Sequence, residues 1–258
     1  ERYTECRLSQ LAMQMLAEVE RRLDSRIPIT DFFYNPTLGG LSDLIGRNPL
    51  HKPGKHLVLL RDGPRDQPPL VAVMGLHGAC IWARDLVDAL PLHHGAVYGL
   101  NLDSEDAQSA AVSSLYQLAS AMVDEIEAEF SDRPVRLIGY SFAGFLAFVL
   151  TWELERRGKT PQHLIQIDPN TNLLPVEGDA PPPQEGAAAK MAALRTACRL
   201  APISTPIDYV FCANSFPLPR RHDVEEWATL AQGGVRVFTL QTSHLAVIYG
   251  RSEERRVG

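Results

Sequence analysis

The chain has 258 residues, 45% of them hydrophobic and 22% charged, with a net charge of −6. That composition suits one medium-sized globular core with a small extra piece, and it lacks the basic stripe of a nucleic-acid surface. No apolar run approaches the roughly 20 residues that span a bilayer, and the polar first residues show no signal peptide, so a cytoplasmic protein without membrane or nucleic-acid partners is expected.

Four cysteines, Cys6, Cys80, Cys198 and Cys212, have neither disulfide-framework nor metal-ligand spacing. Reduced thiols and no metal site are expected, with Cys80 as a packed free thiol. In chain order, Leu11, Met15, Leu16, Val19 and Leu23 recur at helical spacing, and Pro28 closes that segment. The stretch NPTLGGLSDLI (35–45) predicts a short second helix with Thr37 as its cap. Gly46 to Pro69 is rich in Pro, Gly and charge and includes HLVLL (56–60), which predicts a linker followed by an edge strand.

From Leu70 the pattern alternates. Strands are predicted at 69–76, 95–100, 134–140, 162–168, 207–213 and 234–240. Helices are predicted around Trp82, Leu86 and Leu90, then over 113–130, 144–157, 187–199 and 223–231. Alternation of this kind predicts an α/β fold, a mostly parallel sheet with helices on both faces. Residues 175–190, PVEGDAPPPQEGAAAK, have little to bury and are expected to be mobile.

Within this pattern, GYSFAG (139–144) nearly completes G-x-S-x-G, with Ala143 in place of the last glycine. An apolar strand enters it and a helix leaves it, the strand–turn–helix of a nucleophile elbow. Small residues let the helix start approach the strand, and the helix N-terminus aims backbone N–H groups at a developing anion. Ser141 is therefore the candidate nucleophile.

A serine nucleophile needs a base and a carboxylate to orient it, in the order Ser, acid, His for an α/β-hydrolase. Of eight histidines, five precede Ser141, His163 begins a strand, and His222 sits in a polar stretch. His244, just after the last predicted strand, is the candidate base. Asp168 ends the strand after the nucleophile helix, at the edge where parallel sheets place their sites; Asp223, after the next strand, is its competitor. Asp208 begins its strand and falls at the wrong edge. The oxyanion hole is expected to combine the N–H of Phe142 with that of Ala79 in the loop GLHGACIW (75–82), with His77 shaping that loop.

GYSFAG, LIQIDPN and TSHLAVI together resemble the thioesterase domain that ends nonribosomal peptide and polyketide synthases, over about residues 56–250. The resemblance implies an α/β-hydrolase fold and favours Asp168 over Asp223. It also implies a thioester substrate held on a carrier, with an acyl or peptidyl carrier domain and upstream synthase modules as partners. Residues 9–45 resemble the second half of a peptidyl carrier domain, and Ser9 falls where that family attaches 4′-phosphopantetheine. The two glycines that usually precede this serine are absent from ECRLS (5–9), and only eight residues precede Ser9, so the first carrier helix is missing. Such half-bundles are expected to leave the face of Leu11, Met15 and Val19 incompletely buried. The final RSEERRVG (251–258) resembles the translation of a sequencing adapter and is expected not to be natural sequence.

These readings divide the chain into a partial carrier domain (1–46), a linker and edge strand (47–68), a thioesterase domain (69–250) and the adapter-like end (251–258). Only 38 residues separate Asp168 from Ile207, where the family often inserts several lid helices. The expected function is release of a carrier-tethered acyl chain through Ser141, His244 and Asp168, by hydrolysis or macrocyclisation. The rivals are a stand-alone or editing serine esterase of the same fold and a truncated, non-catalytic docking fragment.

Overall fold

The computed structural model describes residues 15, 16, 18, 19, 21–23, 27, 32 and 37–45, then 56–76, 78–91, 93–102, 112–131, 133–169, 186–214, 221–244 and 246–249. The side chains of Ile81, Asp85, Tyr249 and of residues 186–188 and 221–223 are excepted. Two compact units divide the chain, Glu1–Lys55 and His56–Gly258.

In the first unit Met15, Leu16, Glu18, Val19 and Arg21 to Leu23 are helical, and helix α1 runs Leu38–Ile45. Thr37 caps α1 as expected, its Oγ1 accepting the Gly40 N–H at 3.0 Å. Leu16, Ile27 and Leu41 form a small buried cluster. Met15 and Val19 pack against it only half-buried. Leu23, read from the sequence as part of the apolar stripe, is 55% exposed. That corrects the helical-spacing argument: periodicity gives a face, but only a partner surface buries it.

The second unit is one seven-stranded sheet. Its elements are β1 (Leu57–Arg61), β2 (Leu70–Val73), a 3₁₀ turn (Ile81–Ala83), α2 (Arg84–Ala89), β3 (Val97–Leu100), α3 (Leu115–Phe130), β4 (Arg136–Tyr140), α4 (Phe142–Arg156), β5 (His163–Ile167), α5 (Gly186–Ala197), β6 (Ile207–Cys212), α6 (Arg221–Leu230), β7 (Val235–Leu240) and α7 (Ala246–Tyr249). The strand order is β1-β3-β2-β4-β5-β6-β7. Among the described strands, only β1 runs antiparallel to its neighbour; the other five pairings are parallel. Each predicted strand and helix of this unit is present within a few residues. The helix predicted over 187–199 is present as α5, starting at Gly186 inside the Pro- and Ala-rich stretch.

Why the sheet forms here follows from its strands. All four residues of β2 are buried, and alternate side chains point to opposite faces, so both faces are covered. Helix α4 is buried on almost every side: nine successive residues from Phe142 to Leu150 are buried. It packs beside α3 and against β4 and β5. The two helices are also tied by charge. Arg157, the C-cap just past α4, reaches Asp124 and Glu127 on α3 at 2.6 and 2.8 Å, and Glu153 on α4 at 2.8 Å. Arg156 and Arg157 hold the buried Glu153 carboxyl down at about 2. Single carboxylates also capture strand ends: Glu125 accepts the N–H groups of His56 and Leu57, and Glu155 those of Ser204 and Thr205. Among the described residues no helix is long and apolar enough to cross a membrane.

Candidate active site

Strand β4 ends on Tyr140, and the chain turns through Ser141 directly into α4. Ser141 has φ 56° and ψ −122°, a strained backbone region that residues with a Cβ rarely hold and that the nucleophile-elbow expectation calls for. The turn is fastened on both sides. The Ser141 N–H donates to Ile167 O at 3.0 Å, and its carbonyl accepts the Gly144 N–H at 3.0 Å.

Space decides which positions must be glycine. A Cβ on Gly139 would lie 2.2 Å from Ala143 O, so strand and helix could not cross there. A Cβ on Gly144 would lie 2.8 Å from the Cβ of Pro169, next to Asp168. The fully buried Ala143 between them fits as it stands. Close approach to the acid-bearing loop therefore falls on Gly144, one residue past the motif's usual last glycine.

Asp168 follows β5, is 0% exposed, and has φ 40°. Its N–H donates to Val210 O at 2.8 Å, so β6 holds the turn. A buried carboxylate is costly unless it is paired. Here Asp168 Oδ2 accepts from His244 Nδ1 at 2.6 Å. That bond fixes the tautomer, with the proton on Nδ1, and leaves Nε2 as the basic nitrogen. The imidazole is a quarter exposed.

His244 lies on the loop after β7. Ser243 shapes that loop by accepting the Val247 N–H through its carbonyl at 3.1 Å and the Ala246 N–H through Oγ at 3.3 Å. Tyr140 also reaches His244: its O–H donates to the His244 carbonyl at 2.7 Å, and the two rings stack with centroids 4.6 Å apart. The hydrogen bonds of the described residues join His244 to Asp168 and Tyr140, not to Ser141.

Phe142 opens α4, where helix N–H groups lack intrahelical partners, and is buried. Ala79 is buried in the loop between β2 and α2. That loop is heavily fixed. Gly78 has φ +84°, and a Cβ there would lie 2.5 Å from Leu102 O. Leu102 N–H donates to Gly78 O at 2.7 Å, and Cys80 N–H donates to Asn101 Oδ1 at 2.9 Å. Trp82 Nε1 donates to Val73 O, and its ring lies 6.0 Å from that of Tyr140. The buried Cys80 thiol donates to Ala72 O and Leu100 O, and burial pushes its pKa far up, which makes it the packed thiol expected.

The structure thus brings Asp168 and His244 together and sets Ser141 beside Tyr140, on which His244 stacks. Asp208 sits at the start of β6 and pairs with Arg236 instead. Asp223 lies in α6, its side chain outside the described residues, as are His77 and Ser9 altogether. Two residues that the sequence reading missed are Asn101, buried where β3 ends, and Tyr140. Asn101 gave one signal, a polar residue directly after an apolar strand. Tyr140 gave none, since a tyrosine in a buried strand reads as core.

The thioesterase domain family matches residues 77–212. The chain belongs to that family. It is a hydrolase domain acting on thioesters, with the α/β-hydrolase fold. A phosphopantetheine attachment site matches residues 9–45, ahead of the thioesterase domain. The thioesterase chain is 26% identical over 170 residues to indigoidine synthase of Dickeya dadantii (strain 3937), covering 64% of this chain and 11% of that one. It is 24% identical over 185 residues to a dimodular nonribosomal peptide synthase of Bacillus subtilis (strain 168), covering 71% and 8%. It therefore spans only a small fraction of the curated relatives it matches. Among solved structures, the NocB thioesterase domain in covalent complex with a fluorophosphonate nocardicin G analog has TM-score 0.60 at 17% identity, covering 79% of this chain and 100% of that one. The type II thioesterase YbtT, from a yersiniabactin pathway, has TM-score 0.60 at 20% identity, covering 78% and 96%.

Proposed function

We propose that this thioesterase domain releases an acyl or peptidyl chain from a carrier domain of a nonribosomal peptide or polyketide synthase, with Ser141 as nucleophile, His244 as base and Asp168 as orienting acid. The observation that carries the reading is the 2.6 Å bond between the buried Asp168 carboxylate and His244 Nδ1, in a turn beside a serine held at positive φ.

The steps follow from that arrangement. His244 Nε2 takes the Ser141 proton as Oγ attacks the thioester carbonyl. The N–H groups of Phe142 and Ala79 receive the oxyanion. The carbon–sulfur bond then breaks, the leaving thiolate takes the proton from His244, and the acyl group stays on Ser141. Water, or a nucleophile within the chain, attacks the ester carbonyl as His244 accepts its proton; the bond from the acyl carbon to Ser141 Oγ then breaks, and His244 returns that proton to Oγ, which frees the acid or macrocycle and the enzyme. Asp168 keeps the imidazole in the right tautomer and stabilises the imidazolium.

Residues 1–46 are assigned to a carrier piece and 69–250 to the thioesterase domain. Ser9 offers the hydroxyl to which a 4′-phosphopantetheine arm attaches, and that arm, when bound, supplies the thiol that carries the acyl chain. Tethering raises the local concentration of substrate at the esterase. The synthase relatives and the attachment-site match favour this over a stand-alone esterase. A fluorophosphonate probe tests the nucleophile. Labelling of the full chain that vanishes in Ser141→Ala is expected; a folded wild-type chain that takes no label fits the docking-fragment rival and overturns the reading.

A further inference from the structure

The geometry points to Tyr140 as a positioning residue for His244, on the reading that Ser141, His244 and Asp168 form the catalytic set. His244 is carried by the loop after β7, a strand at the sheet's edge whose residues from Arg236 onward are exposed. A single bond from Nδ1 to Asp168 fixes one atom of the imidazole and leaves its plane free to pivot about that bond. Something else must set where Nε2 points.

Tyr140 supplies both missing constraints. Its hydroxyl holds the His244 main chain through the carbonyl at 2.7 Å. Its ring faces the imidazole at 4.6 Å with the planes 27° apart, which fixes the imidazole plane. Tyr140 is itself held. It is 8% exposed, ends β4 in the middle of the sheet, and meets Trp82 on the loop that carries Ala79. It is also covalently adjacent to Ser141. One side chain therefore sets the distance between the nucleophile's backbone and the base's backbone. A buried phenol needs a hydrogen-bond partner, and this one finds it in the base's own carbonyl, 104 residues away. The second position of GYSFAG thus acts as a strut between the centre of the sheet and its edge.

The test uses the full chain and a small acyl N-acetylcysteamine thioester as substrate. Tyr140→Phe keeps the ring and removes only the hydroxyl; Tyr140→Leu removes both. The expected result is a fall in kcat of about tenfold for Phe and about a hundredfold for Leu, with KM within about twofold, because misplacing a catalytic group by an ångström costs on that order. The decisive arm is a double-mutant cycle. In a His244→Ala background, adding Tyr140→Phe should slow the residual reaction no further, since Tyr140 acts only through His244.

Wild-type kcat in Tyr140→Phe overturns the proposal, and so does an undiminished tenfold loss in the His244→Ala background. A folding defect in the Leu variant leaves the Phe variant and the cycle to decide. Fluorophosphonate labelling of wild type separates the two layers. If Ser141 labels normally while Tyr140→Phe behaves as wild type, only the positioning role falls. If wild type does not label at Ser141, the catalytic reading falls and takes the positioning role with it.

Discussion

Strands β4 and β7 carry the two sides of the candidate site, and they are built differently. In β4 four of five residues are buried, and the strand runs into a helix whose first nine residues are buried as well. In β7 every residue after Val235 is exposed, with Val237, Phe238 and Leu240 each a little over 40% exposed. Ser141 and Asp168 thus rest on the packed middle of the sheet, while His244 hangs from its edge. Packing holds Ser141 and Asp168 in strained turns, at φ 56° and 40°, that an edge could not sustain. His244 is placed instead by contacts reaching out from the middle: the Asp168 carboxylate and the Tyr140 hydroxyl and ring.

Substitutions on the two sides should differ in the same sense. The larger effect belongs to the middle. Glu153 on α4 is 3% exposed at its side chain and binds Arg156 and Arg157. With its carboxyl lowered from 4.5 to about 2, it contributes stability that is fully present above the unfolded value and lost as pH falls through the folded one. Glu153→Gln should therefore cost on the order of 2–3 kcal/mol at pH 7, and the gap from wild type should close between about pH 4.5 and 2. Urea unfolding at pH 7, 4 and 3 measures this; a gap that stays constant across the series contradicts it.

The smaller effect belongs to the edge. Phe238 is 43% exposed, with the Arg236 guanidinium 5.1 Å from its ring. Phe238→Ser should shift unfolding by about 0.5 kcal/mol and leave the fluorophosphonate labelling rate unchanged. A loss of several kcal/mol, measured by the same urea titration, would mean that β7 is part of the packed core.

Much of this contrast was legible in the sequence. Apolar runs of four to eight residues alternating with helical spacing located the strands, because strands buried on both faces must be apolar throughout. The G-x-S-x-A turn, an aspartate ending the next strand and a histidine after the last strand located the three candidate residues, because a parallel sheet collects its carboxyl ends at one edge. What stayed hidden depends on contacts between distant segments. Leu23 has a helical spacing yet is 55% exposed. Gly144 is small because Pro169 lies against it, and Asn101 is polar because the Cys80 N–H needs an acceptor. Tyr140 looks like any core aromatic until His244 is seen beside it.

The measurement that bears most directly on this arrangement compares Asp168→Asn with Asp223→Asn, each in the full chain. The rate of fluorophosphonate labelling at Ser141 and the rate of thioester hydrolysis are read side by side. Loss of the orienting carboxylate puts the imidazole in the wrong tautomer, so Asp168→Asn should slow hydrolysis by about 10³- to 10⁴-fold. Asp223→Asn should stay within about twofold of wild type. Near-normal rates in Asp168→Asn, or a collapse confined to Asp223→Asn, would contradict a base held at the edge by an acid buried in the middle.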